Sequence, residues 1–298
     1  MATLKIESVG FIGLGVMGEG MCRNLVESKQ WPVTAFDLNA EPLGRIGNAG
    51  AKVAGSAVEI IAAADAVITC LPGGEQVRQL VLGEGALIER LREGQILIDM
   101  STSQPSLMSE IAVAAKQRGA YFADAPVART RQAAADGTLA IMVGADPDVF
   151  QAIHPVLSTM GTDIEHCGGP GTGQVVKIMN NMVLFQTVAA LAEAVSIAER
   201  SGVDGKLLLE TLSTGSGDSF ALRNHGLNSI VPQIYPDKAF SVKYAAKDLS
   251  YALDLAAQHG VRAPGAENVA KLFEEAIQAG DGDRYFPVIR GRLEPRGA

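Results

Sequence analysis

A glycine pattern near the start of the chain constrains the fold more than any other feature of this 298-residue sequence. Gly13, Gly15 and Gly18 follow the apolar residues 8–13 directly and open a segment with a helical pattern. At this spacing, one glycine makes a tight turn, one lets a pyrophosphate approach the backbone, and one allows the helix to pack closely on the strand. The pattern predicts a dinucleotide-binding loop with the phosphates at a helix N-terminus; a glycine-rich turn without a ligand is the alternative.

Asp37 ends the next predicted strand, residues 33–37. A carboxylate about 20 residues beyond the glycines can accept hydrogen bonds from the adenosine ribose. Its charge would repel the 2′-phosphate of NADP, so we expect NAD as the cofactor, with a turn or helix-cap aspartate as the alternative. The residues assigned to the cofactor site here are Gly13, Leu14, Gly15, Val16, Met17, Gly18, Asp37, Leu38 and Asn39.

The first 165 residues alternate short apolar runs with helical patterns. This alternation is typical of βαβ units, in which helices cover both faces of a parallel sheet. The predicted strands are residues 8–13, 33–37, 66–71, 96–99, 121–124 and 140–144, and the predicted helices are residues 17–29, 56–63, 74–82 and 106–118.

The pattern changes after residues 167–173 (CGGPGTG), which we interpret as a Gly/Pro hinge. A helix without Pro or Gly is predicted over 174–200; at 1.5 Å per residue it would be roughly 40 Å long. Further helices are predicted over 205–213, 237–259 and 264–278, with no convincing strand. We therefore expect a Rossmann-type α/β domain (1–166) and an all-helical domain (174–298), joined by a long interdomain helix.

Composition excludes several classes of function. The 25 basic and 33 acidic residues give a net charge of −8, which is unsuited to binding nucleic acid. The apolar stretch 178–192 is shorter than the roughly 18 residues of a membrane span, and the N-terminus does not resemble a secretory signal. Cys22, Cys70 and Cys167 lack CxxC spacing, which favours a reducing cytoplasm, and the four histidines lack metal-ligand spacing, so we expect no metal.

Lys177 is the strongest candidate for acid/base chemistry. It precedes Asn180 and Asn181 in GTGQVVKIMNN, and spacings of three and four residues place both amides on its face of a helix. A lysine with two such amides can protonate a forming alkoxide and hold its oxygen. A solvated lysine on an amphipathic helix is the alternative.

A hydroxyl pair follows the predicted strand 96–99. Ser101 and Thr102, in DMSTSQP, lie where strand ends face the ligand crevice of an open α/β sheet. Their hydroxyls can bind ribose or phosphate. A plain N-cap before the helix, with Pro105 in its first turn, is an equally good interpretation.

A second lysine lies in the segment KDLSYAL. Lys247 and Asp248 are adjacent on a predicted helix that carries Lys243 one turn earlier. A helix face with two lysines is usually a solvated surface, so the residues alone favour that reading.

Taken in order, the segments GLGVMGEGMCRNL, DMSTSQP, DAPV with DGTLAIMVGA, GTGQVVKIMNN and KDLSYAL closely resemble the β-hydroxyacid dehydrogenase family. The family includes 3-hydroxyisobutyrate dehydrogenase, tartronate semialdehyde reductase and, more distantly, 6-phosphogluconate dehydrogenase. The resemblance covers residues 9 to about 289. It implies hydride transfer between nicotinamide and a small hydroxy acid or its aldehyde, in a homo-oligomer (dimer or tetramer).

The resemblance also implies roles for individual residues. Lys177 corresponds to the family's catalytic lysine and Asn181 to an amide that orients the substrate. Lys247 corresponds to a lysine near the nicotinamide, with Asp248 as its partner. Further assigned contacts are Thr102 with cofactor and substrate, Leu71 and Pro72 with the adenosine side of the cofactor, and Asn180 and Lys247 with the substrate.

The segment after DAPV departs from the family pattern. Much of the family has Ser-Gly-Gly there, a loop that binds a substrate carboxylate through backbone amides, whereas this chain has Ala128, Arg129 and Thr130. This segment resembles the substrate loop of 3-sulfolactaldehyde reductases, in which the arginine binds the sulfonate. A guanidinium fork suits such an oxyanion, so these three residues are assigned to the substrate site. The alternative is that Arg129 turns outward and pairs with Asp136 or Glu165.

These observations favour an NAD-dependent oxidoreductase. Arg129 favours a sulfonate, as in a 3-sulfolactaldehyde reductase, or another doubly functionalised aldehyde as its substrate. A dehydrogenase of the 3-hydroxyisobutyrate or L-serine type and a tartronate, glyoxylate or succinic semialdehyde reductase are alternatives. A methyltransferase and a non-catalytic NAD-binding protein are alternatives of a different class. The pattern without strands after Gly173 argues against the methyltransferase, and the presence of Lys177 argues against the non-catalytic protein.

Overall fold

The computed structural model describes residues 4–237 and 239–293, so the outer ends of the two predicted domains lie outside the described residues. The chain divides into two compact units, residues 1–177 and 178–298. The strands of the first unit are β1 (Val9–Ile12), β2 (Val33–Phe36), β3 (Lys52–Val53), β4 (Ala66–Thr69), β5 (Ile96–Asp99), β6 (Tyr121–Asp124), β7 (Val127–Ala128), β8 (Leu139–Ala145) and β9 (Gly161–Gly168). Its helices are α1 (Gly18–Glu27), α2 (Ala40–Asn48), α3 (Ala57–Ala63), α4 (Gly74–Leu82), α5 (Pro105–Gln117), α6 (Arg131–Ala135) and α7 (Pro147–Leu157), with a 3₁₀ turn at Leu87–Arg90.

The first unit is built on one sheet with the strand order β3-β2-β1-β4-β5-β6-β8-β7, and β9 pairs with β8. Strands β1 to β6 run parallel, and the direction of the strand order reverses between β1 and β4. Alternate residues enter separate apolar layers: Ile68 and Ile98 lie in one, and Val67 and Leu97 in the other. The predicted Rossmann-type domain is confirmed. In such sheets, ligands bind at the carboxyl ends of the strands beside the reversal.

Several elements of this unit differ from the sequence-based prediction. β8 runs antiparallel to β6, so the sheet is mixed rather than wholly parallel. The short strands β3 and β7 were not predicted, nor was β9, an edge strand without an apolar run that includes the first residues of the predicted hinge. Helices α2, α6 and α7 were also missed; α2 contains Pro42, Gly44 and Gly47, and α7 contains Pro155, all of which interrupt the usual helical pattern.

The second unit is helical. Its elements are α8 (Thr172–Arg200, which begins in the first unit), α9 (Gly205–Leu212), a π-helical segment (Leu222–Ile230), α10 (Val242–Gln258), α11 (Pro264–Gln278) and a 3₁₀ segment (Phe286–Arg292). Its described residues form only isolated β-bridges, so the all-helical prediction is confirmed. The prediction that α10 begins at Asp237 is wrong: Ser241 caps the helix by accepting a hydrogen bond from the Tyr244 main-chain N–H.

Helix α8 is long and apolar enough to cross a membrane, judged by its length and a mean hydropathy of 1.5. Core helices of globular proteins have the same properties. In the second unit, α8 contributes Ile178, Phe185 and Val195 to the buried core, where the ring of Phe185 packs edge-on against those of Phe273 and Phe286. This burial is typical of a core helix, and the absence of a membrane span stays a prediction.

Candidate active site

The loop after β1 has the geometry that a bound pyrophosphate requires. Gly13 has φ +98°, and a Cβ on it would lie 2.3 Å from the Cys70 carbonyl oxygen. A Cβ on Gly18 would lie 2.0 Å from the Gly13 carbonyl oxygen. A Cβ on Gly15, by contrast, would meet no atom of the described chain within 4 Å. Two glycines therefore shape the loop, and the third leaves its backbone accessible to a ligand.

The N-terminus of α1 is suited to an anion. No side chain among the described residues caps it at Met17, and Val16 beside it is exposed. The first N–H groups of a helix lack intrahelical acceptors and carry the positive end of the helix dipole. The loop and helix start therefore fit the phosphates of a dinucleotide, as predicted from the glycine spacing.

Asp37 connects the end of β2 to the glycine loop. Its Oδ2 accepts a hydrogen bond from the Leu14 main-chain N–H at 2.5 Å, and its Oδ1 accepts one from the Asn39 N–H at 2.7 Å. The turn-aspartate alternative is therefore realised. Each carboxylate oxygen has a further lone pair, so a ribose contact is compatible with this geometry. Leu38 is exposed, and Asn39 caps α2 by accepting a hydrogen bond from Glu41.

Ser101 joins the loops that follow β4 and β5. Its Oγ donates a hydrogen bond to Asp99 Oδ1 at 2.6 Å and accepts one from the Leu71 N–H at 2.8 Å. Pro72 is exposed next to Leu71, and Thr102 is half-buried. The N-cap interpretation of Ser101 and Thr102 is wrong, because α5 begins after Gln104. Both loops lie at the carboxyl ends of parallel strands, as the glycine loop does.

Asp124, at the end of β6, is a site residue that the sequence analysis missed. Its Oδ1 accepts a hydrogen bond from the Gly171 N–H at 2.5 Å, and its Oδ2 accepts one from the Gln174 N–H at 2.8 Å. Burial raises the pKa of Asp124 to about 7, against the opposing effect of these two N–H groups. A signal was present, because an acidic residue at the end of a buried strand needs hydrogen-bond donors nearby.

The second unit holds a cluster of predicted site residues, built from α8 and α10. The Asn181 side-chain N–H donates to Asp248 Oδ2 at 2.8 Å, and the Asn180 amide donates to Asn181 Oδ1 at 3.1 Å. Lys247 Nζ lies 3.0 Å from Asp248 Oδ1 and 5.3 Å from the ring centre of Tyr251. The structure thus brings together Asn180, Asn181, Lys247 and Asp248, which we call the amide–carboxylate cluster. The solvated-lysine interpretation of Lys247 does not hold, because its side chain is only 27% exposed.

Lys177 lies on α8, one helical turn before this cluster along the chain. It is half-buried, and Asn180 and Asn181 follow it by three and four residues within the same continuous helix. These spacings place all three side chains on neighbouring positions of one helix face. The predicted face is therefore present on a regular helix.

Arg129 is held by the protein itself. Its guanidinium lies 2.7 Å from Asp163 Oδ2 and donates hydrogen bonds to the Thr138 carbonyl oxygen and to Thr162 Oγ1. The ion-paired alternative is therefore realised, with Asp163 on β9 in place of Asp136 or Glu165. Arg129 has φ +89°, which is unusual for a residue other than glycine. On either side, Ala128 ends β7 and the Thr130 hydroxyl caps α6.

The cysteine thiols offer no chemistry at this site. All three are free, and burial raises the pKa of Cys22 and of Cys70 to about 12. A thiol is nucleophilic only as the thiolate. Within residues 4–237 and 239–293, no three His, Cys, Asp or Glu side chains are grouped to hold a metal ion.

Two family models match the two parts of the chain. The model described as the NAD binding domain of 6-phosphogluconate dehydrogenase matches residues 8–169, and that described as NAD-binding of NADP-dependent 3-hydroxyisobutyrate dehydrogenase matches residues 171–288. The chain belongs to the β-hydroxyacid dehydrogenase family. The resemblance found in its motifs is thereby confirmed, and the methyltransferase alternative is wrong.

Individual relatives extend over nearly the whole chain. The mitochondrial 3-hydroxyisobutyrate dehydrogenase of Mus musculus is 36% identical over 83% of this chain and 75% of its own length. The NAD-dependent L-serine dehydrogenase of Pseudomonas aeruginosa is 31% identical over 97% and 99%. The structure of Mycobacterium tuberculosis 3-hydroxyisobutyrate dehydrogenase with L-serine has a TM-score of 0.87 at 33% identity, covering 97% of this chain and 99% of that one. The chain is therefore an oxidoreductase of the family that acts on CH–OH groups.

Proposed function

We propose that this oxidoreductase interconverts a small β-hydroxy acid and its semialdehyde with NAD, using Lys177 as the acid/base group. The observation that carries the proposal is the amide–carboxylate cluster: Asp248 holds the Asn181 amide on the helix that bears Lys177. Such second contacts keep a substrate-orienting group in one geometry. An isolated lysine on a solvated helix would need no such support.

The proposed mechanism uses one lysine in both directions. In oxidation, neutral Lys177 takes the proton of the substrate hydroxyl; in reduction, protonated Lys177 returns it to the carbonyl oxygen. The Asn181 amide orients that oxygen, and the ammonium of Lys247 favours the substrate carboxylate. The glycine loop and Asp37 would hold the dinucleotide, whose nicotinamide would supply hydride-transfer chemistry when bound. General acid/base assistance of this kind contributes roughly 10²- to 10⁴-fold in rate.

We propose NAD rather than NADP because Asp37 carries a negative charge at the end of β2. Its position beside the glycine loop supports a contact with the ribose diol, and a 2′-phosphate there would be repelled. The relatives differ in this respect, since the L-serine dehydrogenase is described as NAD-dependent while one matching family model is described as NADP-dependent. The ratio of kcat/KM with the two cofactors measures the preference.

The substrate is proposed to be a simple carboxylic acid. The sequence-based preference for 3-sulfolactaldehyde depends on Arg129 binding a sulfonate, and in the structure its guanidinium pairs with Asp163. A sulfonate would have to compete with that carboxylate. Arg129→Gly, assayed on 3-sulfolactaldehyde and on tartronate semialdehyde, separates the two: we expect similar effects on both, whereas a selective loss on the sulfonate would restore the original preference.

The proposed function is tested by following reduced nicotinamide with NAD and with NADP over a panel of substrates. The panel comprises L-serine, 3-hydroxyisobutyrate, glycerate, 4-hydroxybutyrate and sulfolactate. We expect turnover of a β-hydroxy acid with NAD preferred. Binding of NADH without turnover of any β-hydroxy acid of the panel would contradict the proposed substrate class.

We also propose a homo-oligomer, either a dimer or a tetramer, and a cytoplasmic location, without a nucleic-acid or membrane partner. The oligomer rests on the family resemblance, and the location on three free cysteines without disulfide spacing. Light scattering coupled to size-exclusion chromatography measures the mass of the assembly. A monomeric mass at assay concentration would contradict the proposed assembly.

A further inference from the structure

We propose that Asp124 is a positioning residue for Lys177: its carboxylate fixes the first turn of α8 to the end of the sheet and thereby sets where the lysine is presented. This inference rests on the proposed role of Lys177. It concerns residues of the first unit only, since Asp124, the start of α8 and Lys177 all belong to it. Asp124 itself makes no contact with substrate in the proposal.

The hydrogen bonds of Asp124 are those of a helix cap supplied from a distant part of the chain. Its two oxygens accept from the Gly171 and Gln174 main-chain N–H groups, 47 and 50 residues later in the sequence. Helix α8 begins at Thr172, so these N–H groups lie at its N-terminal end, where intrahelical acceptors are lacking. A carboxylate there also interacts favourably with the helix dipole.

Two glycines make this contact close. A Cβ on Gly173 would lie 2.4 Å from the Met142 carbonyl oxygen and 2.8 Å from Asp124 Oδ2. A Cβ on Gly144 would lie 2.4 Å from Asp124 Oδ1. The helix start, β8 and the carboxylate are therefore in van der Waals contact, which leaves little room for the first turn to shift.

The Gln174 side chain adds a second attachment at the same turn. Its Nε2 donates to the Ser101 carbonyl oxygen at 2.7 Å, and its Oε1 accepts from the Ser103 N–H at 3.0 Å. Ser101 and Ser103 belong to the loop after β5, at the carboxyl ends of the strands, where the cofactor is proposed to bind. Lys177 follows Gln174 by three residues, which is one helical turn. The lysine is thus one turn from a residue held by three hydrogen bonds, with a fourth at Gly171.

The protonation state of Asp124 affects this attachment. The ionised carboxylate accepts both N–H groups, whereas protonation makes one oxygen a donor that faces a donor. Two titratable groups interact with Asp124, namely Asp99 on β5 and Cys167 on β9. Lys177 follows Gln174 by one turn of α8, and β8 contains only glycine and apolar residues. Burial raises the pKa of Asp124 to about 7, so its ionisation changes within an accessible pH range.

The test is Asp124→Asn, assayed in the direction of reduction. We expect kcat to fall about 10- to 100-fold, while KM and the Kd for NADH stay within about two-fold. Lys177 must be protonated in this direction, so it does not explain a loss of activity at low pH. The wild-type kcat should therefore decline as the pH falls below about 7, and the variant should show no such decline. Hydrogen exchange of residues 171–178 should be faster in the variant, with or without substrate.

Gln95→Ala serves as the matched control. Gln95 precedes β5 at the amino end of the strand, and its buried side-chain amide donates to the carbonyl oxygens of Ile61 and Ala64. It should lower the melting temperature and leave kcat unchanged. Unchanged kcat in Asp124→Asn would overturn the inference. A wild-type kcat that stays constant down to about pH 5 would also overturn it, and this measurement needs no variant. If the wild type turns over no member of the panel, the proposed function fails; unchanged exchange at residues 171–178 would overturn the anchoring itself.

Discussion

Asp124 in the first unit and Asp248 in the second are both buried carboxylates, but they are held by different kinds of donors. Asp124 is held by main-chain N–H groups of Gly171 and Gln174. Asp248 is held by side chains, the amide of Asn181 and the ammonium of Lys247. The first arrangement depends on how closely the backbone approaches, and the second depends on which residue types are present.

This difference explains why the sequence revealed one carboxylate and not the other. Asn181 and Lys247 are recognisable in the motifs GTGQVVKIMNN and KDLSYAL, so Asp248 was assigned with them. The donors to Asp124 are backbone groups that any residue could supply, and only Gly173 and Gly144 indicate that the approach is close. We therefore expect the two carboxylates to respond differently to substitution of their neighbours.

The largest expected effect is that of adding a methyl group at Gly173. In Gly173→Ala the new Cβ meets a main-chain oxygen of β8, so we expect a loss of about 2–3 kcal/mol in the free energy of unfolding. Gly169→Ala is the matched control, because a Cβ there meets no atom of residues 4–237 and 239–293 within 4 Å, and it should cost less than about 0.5 kcal/mol. Urea unfolding measures both; equal losses would mean that the approach at Gly173 is not tight.

The next effect is the coupling energy between each carboxylate and a neighbouring side chain. A double-mutant cycle of Asn181→Ala with Asp248→Asn should give about 1–2 kcal/mol of coupling in unfolding free energy, because the side chains bond directly. The cycle of Gln174→Ala with Asp124→Asn should give less than about 0.5 kcal/mol, because the bond to Asp124 uses the main chain of Gln174. Equal coupling in the two cycles would mean that both carboxylates are held by side chains to the same degree.

The smallest effect concerns His225, a buried group of the second unit whose Nδ1 has no hydrogen-bond partner in the described chain. Burial lowers the pKa of His225 to about 4. A base with a lowered folded-state pKa contributes stability that is fully present above its unfolded pKa of about 6.5. This stability is lost progressively as the pH falls from there to the folded value. Between about pH 7 and 6, the free energy of unfolding of the wild type should fall by up to about 1 kcal/mol relative to that of His225→Phe. Parallel pH profiles of unfolding free energy for the two proteins would contradict this.

The fold class of both units could be predicted from the sequence, because apolar runs mark the strands and helices. The amide–carboxylate cluster could be predicted because its residues belong to recognisable motifs. β5 and β6 were predicted to the residue, since β5 is buried throughout, β6 is buried after Tyr121, and both end on a buried aspartate. β9 escaped because an edge strand has no apolar run to identify it. The direction of the Arg129 side chain escaped for a different reason: it is set by Thr162 and Asp163, which are distant in sequence. Long-range contacts of single residues leave no local pattern.

The most direct measurement is the turnover of Lys177→Ala with the substrate that the panel identifies. Loss of the acid/base group should lower kcat by roughly 10²- to 10⁴-fold in both directions and leave the Kd for NADH within about two-fold of wild type. Lys271→Ala, which removes an exposed lysine of α11, should match the wild type in both quantities. A kcat near the wild-type value in Lys177→Ala would contradict the account.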